Sequence, residues 1–266
     1  MPFTLAHPAV IIPLNKHLKK WGVLSALIIG SMVPDFSYFL PLGVGRYETH
    51  TFMALLWFCL PVGLGLYYLY HLLLYPLLYS IFPLQIQQRL TTDSTQGKLP
   101  SATLLLIALN ILIGATTHII WDIFTHPSHG LPVPIASFME IILIQFDGYT
   151  FYMFRLLQHL STLIGIGFII YWIKQWYATT TPTQQNLWIP PLFFQRFSRL
   201  TLLVMPAIVG VYAGYLSASY LIATSQGSTL YKVIMALRDV IIYGGQALLL
   251  TWILLGVCYL ILRARL

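Results

Sequence analysis

The segment THIIWDIFTHPSHG contains the pattern His-x3-Asp-x3-His, formed by His118, Asp122 and His126. A step of four residues along an α-helix rotates a side chain by only about 40°, so the three side chains are expected to form one stripe. A His and a carboxylate one turn apart can bind one divalent metal ion, and the second His can serve a neighbouring ion. The pattern therefore predicts a metal site with Asp122 as the bridging ligand. The alternative is a stripe of polar side chains that hydrogen-bond to a neighbouring helix.

Other segments are expected to supply ligands, because one helix rarely completes a coordination sphere. Three residues of suitable type stand beside apolar stretches, namely His7, Asp35 and His50. Each also has a purely structural interpretation, His7 and His50 as exposed residues at helix starts and Asp35 as a helix cap. Their expected position at one level of the bilayer favours a single shared site.

Further candidates flank the third long apolar stretch. His159 is expected on the same side of the membrane as the stripe, either as a further ligand or as a proton donor. Arg155 and Arg46 can each hold a phosphate group through two parallel hydrogen bonds. Glu140 and Asp147 are each interpreted either as a general base or as an interfacial charge.

The composition restricts the class of protein that can carry these residues. The chain has 266 residues, of which 58% are hydrophobic and only 8% are charged, and its mean hydropathy is +0.78. Soluble domains are about 25% charged, so a water-soluble monomer is excluded. The net charge of +7 comes from residues between apolar stretches, which predicts no nucleic-acid partner. Both cysteines, Cys59 and Cys258, lie within apolar stretches, which excludes a disulfide framework and a thiolate metal cluster.

The elements that must position the candidate ligands are membrane spans, each of about 20 apolar residues. Uncharged stretches predict an all-α polytopic membrane helix bundle with five long spans, near 52–79, 101–122, 156–175, 200–224 and 239–262. Residues 8–14 and 21–34 are apolar but short, and lysines separate them. This pattern predicts an N-terminal hairpin of two short helices with the lysines at its tip. A single bent span over 22–42 is the alternative.

The distribution of Lys and Arg predicts the orientation of the bundle. Ten of these residues fall on the side of the lysine tip and four on the other side. By the positive-inside rule the tip, residues 93–97 and the C-terminus are cytoplasmic, and residues 128–131 are outside. The candidate ligands are then expected on the extracytoplasmic side of a bacterial inner membrane.

Four segments occur in a fixed order: TLAHPAV, GSMVPDFSYF, the His-Thr pair before LLWFCLPVG, and THIIWDIFTH. With these segments the chain resembles bacterial membrane-bound metal-dependent hydrolases of the YdjM type, over about residues 1–176. That family is distantly similar to zinc-dependent phospholipases C and related nucleases, all-α phosphodiesterases with a compact multi-zinc cluster. The resemblance implies one to three divalent ions, zinc in the first place, with six ligands: His7, Asp35, His50, His118, Asp122 and His126.

The expected function is hydrolysis of a phosphoester by metal-activated water. Ligation by His and Asp without thiolate suits a catalytic zinc ion. A site at the membrane interface suggests an amphiphilic phosphorylated substrate, such as a phospholipid or a polyprenyl phosphate. Asp122, His159 and Arg155 are the expected catalytic residues, residues 1–176 the hydrolase-like core, and residues 177–266 a C-terminal pair of transmembrane helices. Hydrolysis of a carboxylic ester or amide stays open, and so does a metal-binding transporter, sensor or scaffold without hydrolytic activity.

Overall fold

A computed structural model of the chain describes residues 4–40, 42–90, 103–126, 132–146, 149–183, 190–224 and 228–265. In chain order, its helices are α1 (Pro8–Leu18), α2 (Leu24–Gly30), α3 (Arg46–Thr49), α4 (Leu55–Ile81), α5 (Leu84–Gln87), α6 (Leu104–Ile123), α7 (Val133–Met139), α8 (Met153–Thr179), α9 (Leu192–Thr224) and α10 (Thr229–Ala264). Tighter 3-10 turns cover Thr4–Ala6, Lys19–Trp21 and Val33–Tyr38. The fold is an all-α bundle, as the composition predicts.

Five helices, α4, α6, α8, α9 and α10, are long and apolar enough to cross a bilayer, within the part of the chain that the structure describes. They confirm the five predicted spans, and the chain is a membrane protein. The last two helices begin earlier than predicted, at Leu192 and Thr229. The reason is that charged residues such as Arg199 and Lys232 limit an apolar span but are good helix formers, so they do not end a helix.

The chain divides into two compact units. The first comprises Met1–Tyr67 and Ala102–Trp176, and the second comprises Tyr68–Ser101 and Tyr177–Leu266. Residues 68–101, which lie within the range 1–176 predicted as the core, group here with the C-terminal helices.

The N-terminal hairpin is present in the first unit. α1 and α2 pack against each other, and the lysine-rich turn joins them. The alternative of one bent span over 22–42 is wrong, because α2 ends at Gly30 and Val33–Tyr38 forms a separate turn. Pro34 lacks a backbone N–H and its ring would clash with a preceding helical turn, so α2 cannot continue through it.

Helix α2 lies very close to α6 at two glycines. A Cβ atom on Gly114 would lie 2.7 Å from the backbone nitrogen of Ser31, and one on Gly30 would lie 2.8 Å from Cα of Ile111. The two backbones can approach this closely only because neither residue carries a side chain. The contact places the Ser31 carbonyl next to α6 one turn after Gly114.

A buried asparagine fastens the other end of α2 to α6. The amide nitrogen of Asn110 donates to the carbonyl oxygen of Trp21 (2.9 Å), and its amide oxygen accepts from the backbone N–H of Val23 (3.0 Å). The start of α2 is therefore held to α6 by hydrogen bonds and its end by the glycine contact.

The first unit also contains a small hairpin of strands that the hydropathy pattern did not predict. Strand β1 (Ile142–Phe146) pairs antiparallel with β2 (Tyr149–Tyr152), and α8 follows directly. The backbone N–H of Met153 donates to the carbonyl oxygen of Ile141 (2.9 Å), which ties the start of α8 to the hairpin. A strand of five residues that is mostly apolar lacks the alternation by which strands are recognised in a sequence.

The second unit is organised around α9 and α10, which are consecutive in the chain and pack against each other. A Cβ atom on Gly210 would lie 2.6 Å from the carbonyl oxygen of Val240, and one on Gly214 would lie 3.1 Å from that of Ala236. Such contacts between small residues are typical of helices that associate in a membrane.

Candidate metal centre

Six side chains of ligand-forming type converge at the C-terminal end of α6, within the first unit. They belong to the N-terminal segment, the turn Val33–Tyr38, the residue after α3 and the end of α6: His7, Asp35, His50, His118, Asp122 and His126. The structure therefore brings five predicted ligands from separate parts of the chain into two groups with metal-site spacing, and it places His126, which is in neither group, beside Asp122.

Local sequence explains how three of these side chains are presented. Pro8 and Pro34 each occupy the start of a helical turn, where a missing N–H costs nothing, so His7 lies just before α1 and Asp35 lies in the first turn of Val33–Tyr38. His50 ends the short helix α3, whose start is closed by a hydrogen bond from the Gly45 N–H to the Glu48 carboxylate (2.7 Å).

Asp122 lies at the centre of the cluster and contacts all four histidines. Its Oδ2 lies 3.4 Å from Nε2 of His50, 3.6 Å from Nε2 of His118 and 3.5 Å from Nδ1 of His126. Its Oδ1 lies 3.7 Å from Nε2 of His7. The two carboxylate oxygens thus face different histidines, which is the arrangement that a bridging ligand requires.

His126, the third residue of the predicted stripe, lies beside the cluster although it is not on helix α6. α6 ends at Ile123, so His126 lies in the turn that follows and not on the helix. Its Nδ1 lies 3.0 Å from the carbonyl oxygen of Asp122, and this contact turns the ring back toward the helix end.

Asp35 completes the cluster from the opposite side. Its Oδ1 lies 3.3 Å from Nε2 of His50 and 3.7 Å from Nε2 of His118. Two groups have ligand atoms that all lie within 4.8 Å of one another: His7, Asp35 and His118, and His50, His118 and Asp122. Ligands around a tetrahedral zinc ion lie about 3.4 Å apart, so the contacts of 3.3 and 3.7 Å are close to the donor spacing of a zinc site.

Hydrogen bonds to backbone carbonyls orient the imidazole rings. Nδ1 of His118 donates to the carbonyl oxygen of Ser31 (2.7 Å), and Nδ1 of His50 donates to that of Arg46 (3.0 Å). A carbonyl can only accept, so the proton is on Nδ1 in each ring and Nε2 is left with its lone pair in the neutral form. The two Nε2 atoms lie 3.3 Å apart. Lone pairs facing each other at this distance favour a cation between them, and backbone-bonded imidazoles are typical of metal ligands.

Several buried polar atoms of the cluster have no hydrogen-bond partner among the described residues. They are both ring nitrogens of His7, Oδ1 of Asp35, Oδ1 of Asp122 and Nε2 of His126. Each buried polar atom left without a partner costs about 1–3 kcal/mol, so a protein rarely keeps five of them together. A metal ion would satisfy these atoms, and the donor set of imidazole and carboxylate fits zinc.

The electrostatics of the cluster favour a cation. Burial lowers the pKa of His7 and that of His126, each to about 3, so both rings are neutral at pH 7 and able to bind metal. Burial also acts to lower the pKa of His50, but the nearby carboxylates of Asp122 and Asp35 outweigh it and raise that pKa above its usual value. The carboxylates that stabilise a proton on His50 would likewise attract a metal ion.

A family model described as "Domain of unknown function (DUF4184)" matches residues 1–257, which include the whole cluster. The chain belongs to this family. No curated protein and no solved structure matches this DUF4184 chain.

Arg46 contacts the cluster of the DUF4184 chain directly. Its Nη2 donates to Oδ2 of Asp122 (2.8 Å). Its Nε is buried and has no hydrogen-bond partner among the described residues. Arg46 therefore brings a positive charge and a spare donor to the edge of the candidate centre.

The two other predicted catalytic residues lie on α8. The ring of His159 stacks with that of Phe151 (centroids 6.1 Å apart), and His159 belongs to neither of the two candidate ligand groups. The guanidinium of Arg155 lies 5.6 Å from the centre of the Phe154 ring. Their catalytic roles stay predictions. Asp147 and residues 128–131 lie outside the described residues.

The residues that support the ligands in the DUF4184 chain were not singled out in the sequence. Thr4 donates to Oδ2 of Asp35 (2.7 Å), and nothing in its sequence context distinguishes it. Asn110 and Gly114, in contrast, continue the four-residue step of His118 and Asp122 backward along α6. Extending the stripe toward the N-terminus of the helix would have found both.

Proposed function

We propose that this membrane protein is a zinc-dependent hydrolase that cleaves a phosphoester of an amphiphilic substrate, such as a phospholipid or a polyprenyl phosphate. The observation that carries the proposal is the buried group of six His and Asp side chains, in which neighbouring His and Asp atoms lie 3.3–3.7 Å apart. Several of these atoms have no hydrogen-bond partner in the described chain. The resemblance to YdjM-type hydrolases points to the same reaction class.

The chain's own residues divide into ligands and a candidate anion-binding group. The ligands would be His7, Asp35, His50, His118, Asp122 and His126, with Asp122 between two ions because its oxygens face different histidines. When bound, the metal would supply a hydroxide at neutral pH and polarise a phosphoryl oxygen. Arg46, with its unpaired Nε, would donate to a substrate oxygen in the same site.

Arg46 also indicates which class of ester the protein would hydrolyse. A guanidinium forms paired hydrogen bonds with the anionic oxygens of a phosphate, whereas a neutral carboxylic ester offers only one carbonyl acceptor. A fixed positive charge beside the cluster thus favours a phosphoester over a carboxylic ester or an amide.

The location of the cluster supports a lipid substrate. It lies at the end of α6, a helix that is apolar enough to span the bilayer, so a substrate with a polar head and an apolar tail could reach it from the membrane. The count of Lys and Arg favours the extracytoplasmic face of a bacterial inner membrane.

One observation favours the alternative, a metal-binding transporter, sensor or scaffold. His7, Asp35 and His118 are each at most 1% exposed, as in a closed structural metal site. A transporter, however, needs ligands at several depths along its path, whereas both candidate ligand groups in the described chain lie at one end of α6.

Metal analysis followed by an activity screen tests the proposal. Protein purified after expression with added zinc is expected to hold about one to three equivalents of the ion and to hydrolyse a member of a panel of phosphorylated lipids. Stoichiometric metal without hydrolysis of any lipid in the panel would support the scaffold or sensor. Protein without bound metal would contradict both functions.

A further inference from the structure

The strand hairpin between α6 and α8 exposes apolar side chains outside the spanning helices. In β1, Ile142 is 54% exposed, Ile144 62% and Phe146 70%. Exposed apolar residues are expected on membrane-spanning helices but not on a hairpin outside them. There, each square ångström of apolar surface in contact with water costs about 25 cal/mol. Exposed apolar side chains grouped in this way indicate a binding surface.

The part of the hairpin next to its turn has one apolar and one polar face. Alternate residues of a strand point to opposite faces, and directly paired residues share a face. Ile144 pairs with Phe151, and Phe146 lies two residues further on the same face. Gln145 and Thr150 pair with each other on the opposite face. Next to its turn the hairpin is therefore amphipathic, with the exposed Ile144 and Phe146 on the apolar side. Further from the turn, the irregularity between Ile142 and Ile144 interrupts the alternation.

The chain on both sides of the hairpin fixes its level in the membrane. It lies between two candidate spans and follows α6 at the end that carries the candidate metal centre. The hydrogen bond from the Met153 N–H to the Ile141 carbonyl ties it to the first turn of α8, so it cannot move far from the membrane surface. Glu140 is the one charged residue within 132–146 and 149–154.

The hydrogen-bonding needs of the backbone determine how deep the hairpin can lie in the bilayer. Each strand of a two-stranded hairpin has one unpaired edge, and unpaired N–H and C=O groups are not tolerated in the hydrocarbon region. At the interface, water and lipid headgroups can satisfy the edges while apolar side chains reach the acyl chains.

We propose that the hairpin formed by β1 and β2 lies in the interfacial layer of the bilayer, with Ile144 and Phe146 on the acyl chains and Gln145 and Thr150 toward water. The partner is the lipid leaflet that borders the candidate metal centre. This placement does not depend on catalysis and would hold equally for an enzyme and for a scaffold.

Fluorophores attached to neighbouring residues on opposite faces test the placement. Ile144→Cys and Gln145→Cys are made in full-length protein that carries Cys59→Ala and Cys258→Ala, labelled with an environment-sensitive dye and reconstituted in phosphatidylcholine vesicles. Lipids with a doxyl group near the headgroup are expected to quench the dye at residue 144 on the order of threefold more than at 145, with the reverse order for aqueous iodide. Phe146→Cys repeats the measurement on the apolar face in case the first variant does not fold.

Three results would overturn the proposal. Equal and strong iodide quenching at residues 144 and 145 would place the whole hairpin in water. Stronger quenching of both by doxyl groups deep in the acyl chains would place it in the hydrocarbon region. Protection of residue 144 from both quenchers, together with disulfide cross-linking between Ile144→Cys copies, would show that a second copy of the chain covers the face.

Discussion

Both units of the protein contain a pair of helices in close contact through glycines, but the surroundings of the two contacts differ. In the first unit, the contact at Gly30 and Gly114 is followed one turn later by His118 and the buried cluster. In the second unit, Gly210 and Gly214 lie against Val240 and Ala236, and the described ion pair of α10 joins two adjacent residues, Arg238 and Asp239.

The comparison shows that close packing at glycines can serve helix association alone or can also position a candidate metal ligand. Small residues let helices approach in either unit, because close backbones gain dispersion contacts whatever their surroundings. Only in the first unit does the approach bring a backbone carbonyl to a candidate metal ligand, by placing Ser31 against His118. A shift of the helices there should disturb chemistry, whereas a similar shift in the second unit should disturb stability alone.

The largest expected effect comes from removing the charge of Asp122, with Asp239 in the second unit as the matched control. Asp122→Asn keeps size and some hydrogen bonding but removes the charge that would offset two cations. We expect zinc affinity to fall about 100-fold or more, together with turnover, in a competition titration with a chelator. Asp239→Asn makes the same change in α10 and should leave zinc affinity unchanged. Full metal binding by Asp122→Asn would rule out Asp122 as the bridging ligand.

Alanine substitutions of Gly114 and Gly210 test whether the two glycine contacts have different roles. In Gly114→Ala, the new Cβ would meet the Ser31 backbone at 2.7 Å, so α2 must move and the hydrogen bond to His118 must weaken. We expect a loss of about 10–100-fold in zinc affinity and of about 1–3 kcal/mol in the free energy of unfolding. Gly210→Ala should lower stability by a similar amount and keep its metal, as measured by thermal unfolding and elemental analysis. Equal metal loss in both variants would remove the proposed distinction.

Lysine substitutions distinguish the two arginines of the first unit. Arg46→Lys keeps the charge but loses the planar pair of donors, so kcat/KM on a phosphorylated lipid should fall about 10–100-fold, or ~1.4–2.7 kcal/mol, with metal retained. Arg155→Lys should show a loss of the same size if Arg155 also grips the phosphate. Arg238→Lys in the second unit is the control and should match wild type. If Arg46→Lys also matches wild type, Arg46 does not bind substrate.

The hydrogen bond behind Asp35 should have a smaller effect. Thr4→Val keeps the shape of the side chain but removes the donor to Oδ2 of Asp35. We expect zinc affinity to fall about tenfold, since outer partners of metal ligands typically contribute 10–100-fold. Thr116→Val removes a hydroxyl whose hydrogen bond in the described chain stays within its own helix, at the carbonyl oxygen of Leu112, and this variant should bind zinc normally. Equal affinities for the two variants would exclude this supporting role for Thr4.

The orientation of the bundle can be tested without altering its function. Ser128→Cys and Thr95→Cys, both outside the described residues, are introduced into protein that lacks Cys59 and Cys258. The positive-inside count predicts that an impermeant thiol reagent labels Ser128→Cys but not Thr95→Cys in intact cells. The opposite labelling pattern would move the candidate centre to the cytoplasmic face.

The sequence alone determined the membrane-spanning helices, because hydropathy is a property of contiguous residues. The forty uncharged positions between Glu48 and Arg89 are enough to predict α4. The pair His118 and Asp122 was likewise predictable, since both lie on one helix with a known rotation per residue. Helix bounds were less accurate where charged residues continue a helix, as at the starts of α9 and α10.

Tertiary structure decided which atoms of the ligands face one another. No local pattern brings Asp35 to 3.3 Å from His50, or selects Nδ1 of His118 as the protonated nitrogen through the Ser31 carbonyl. These features depend on the approach of α2 to α6, which requires both Gly30 and Gly114. The position of His126 also depended on the fold, because α6 ends before it and a backbone contact, not helical periodicity, turns its ring toward Asp122. A metal site depends on distances between atoms from distant segments, and such distances are set only when those segments pack.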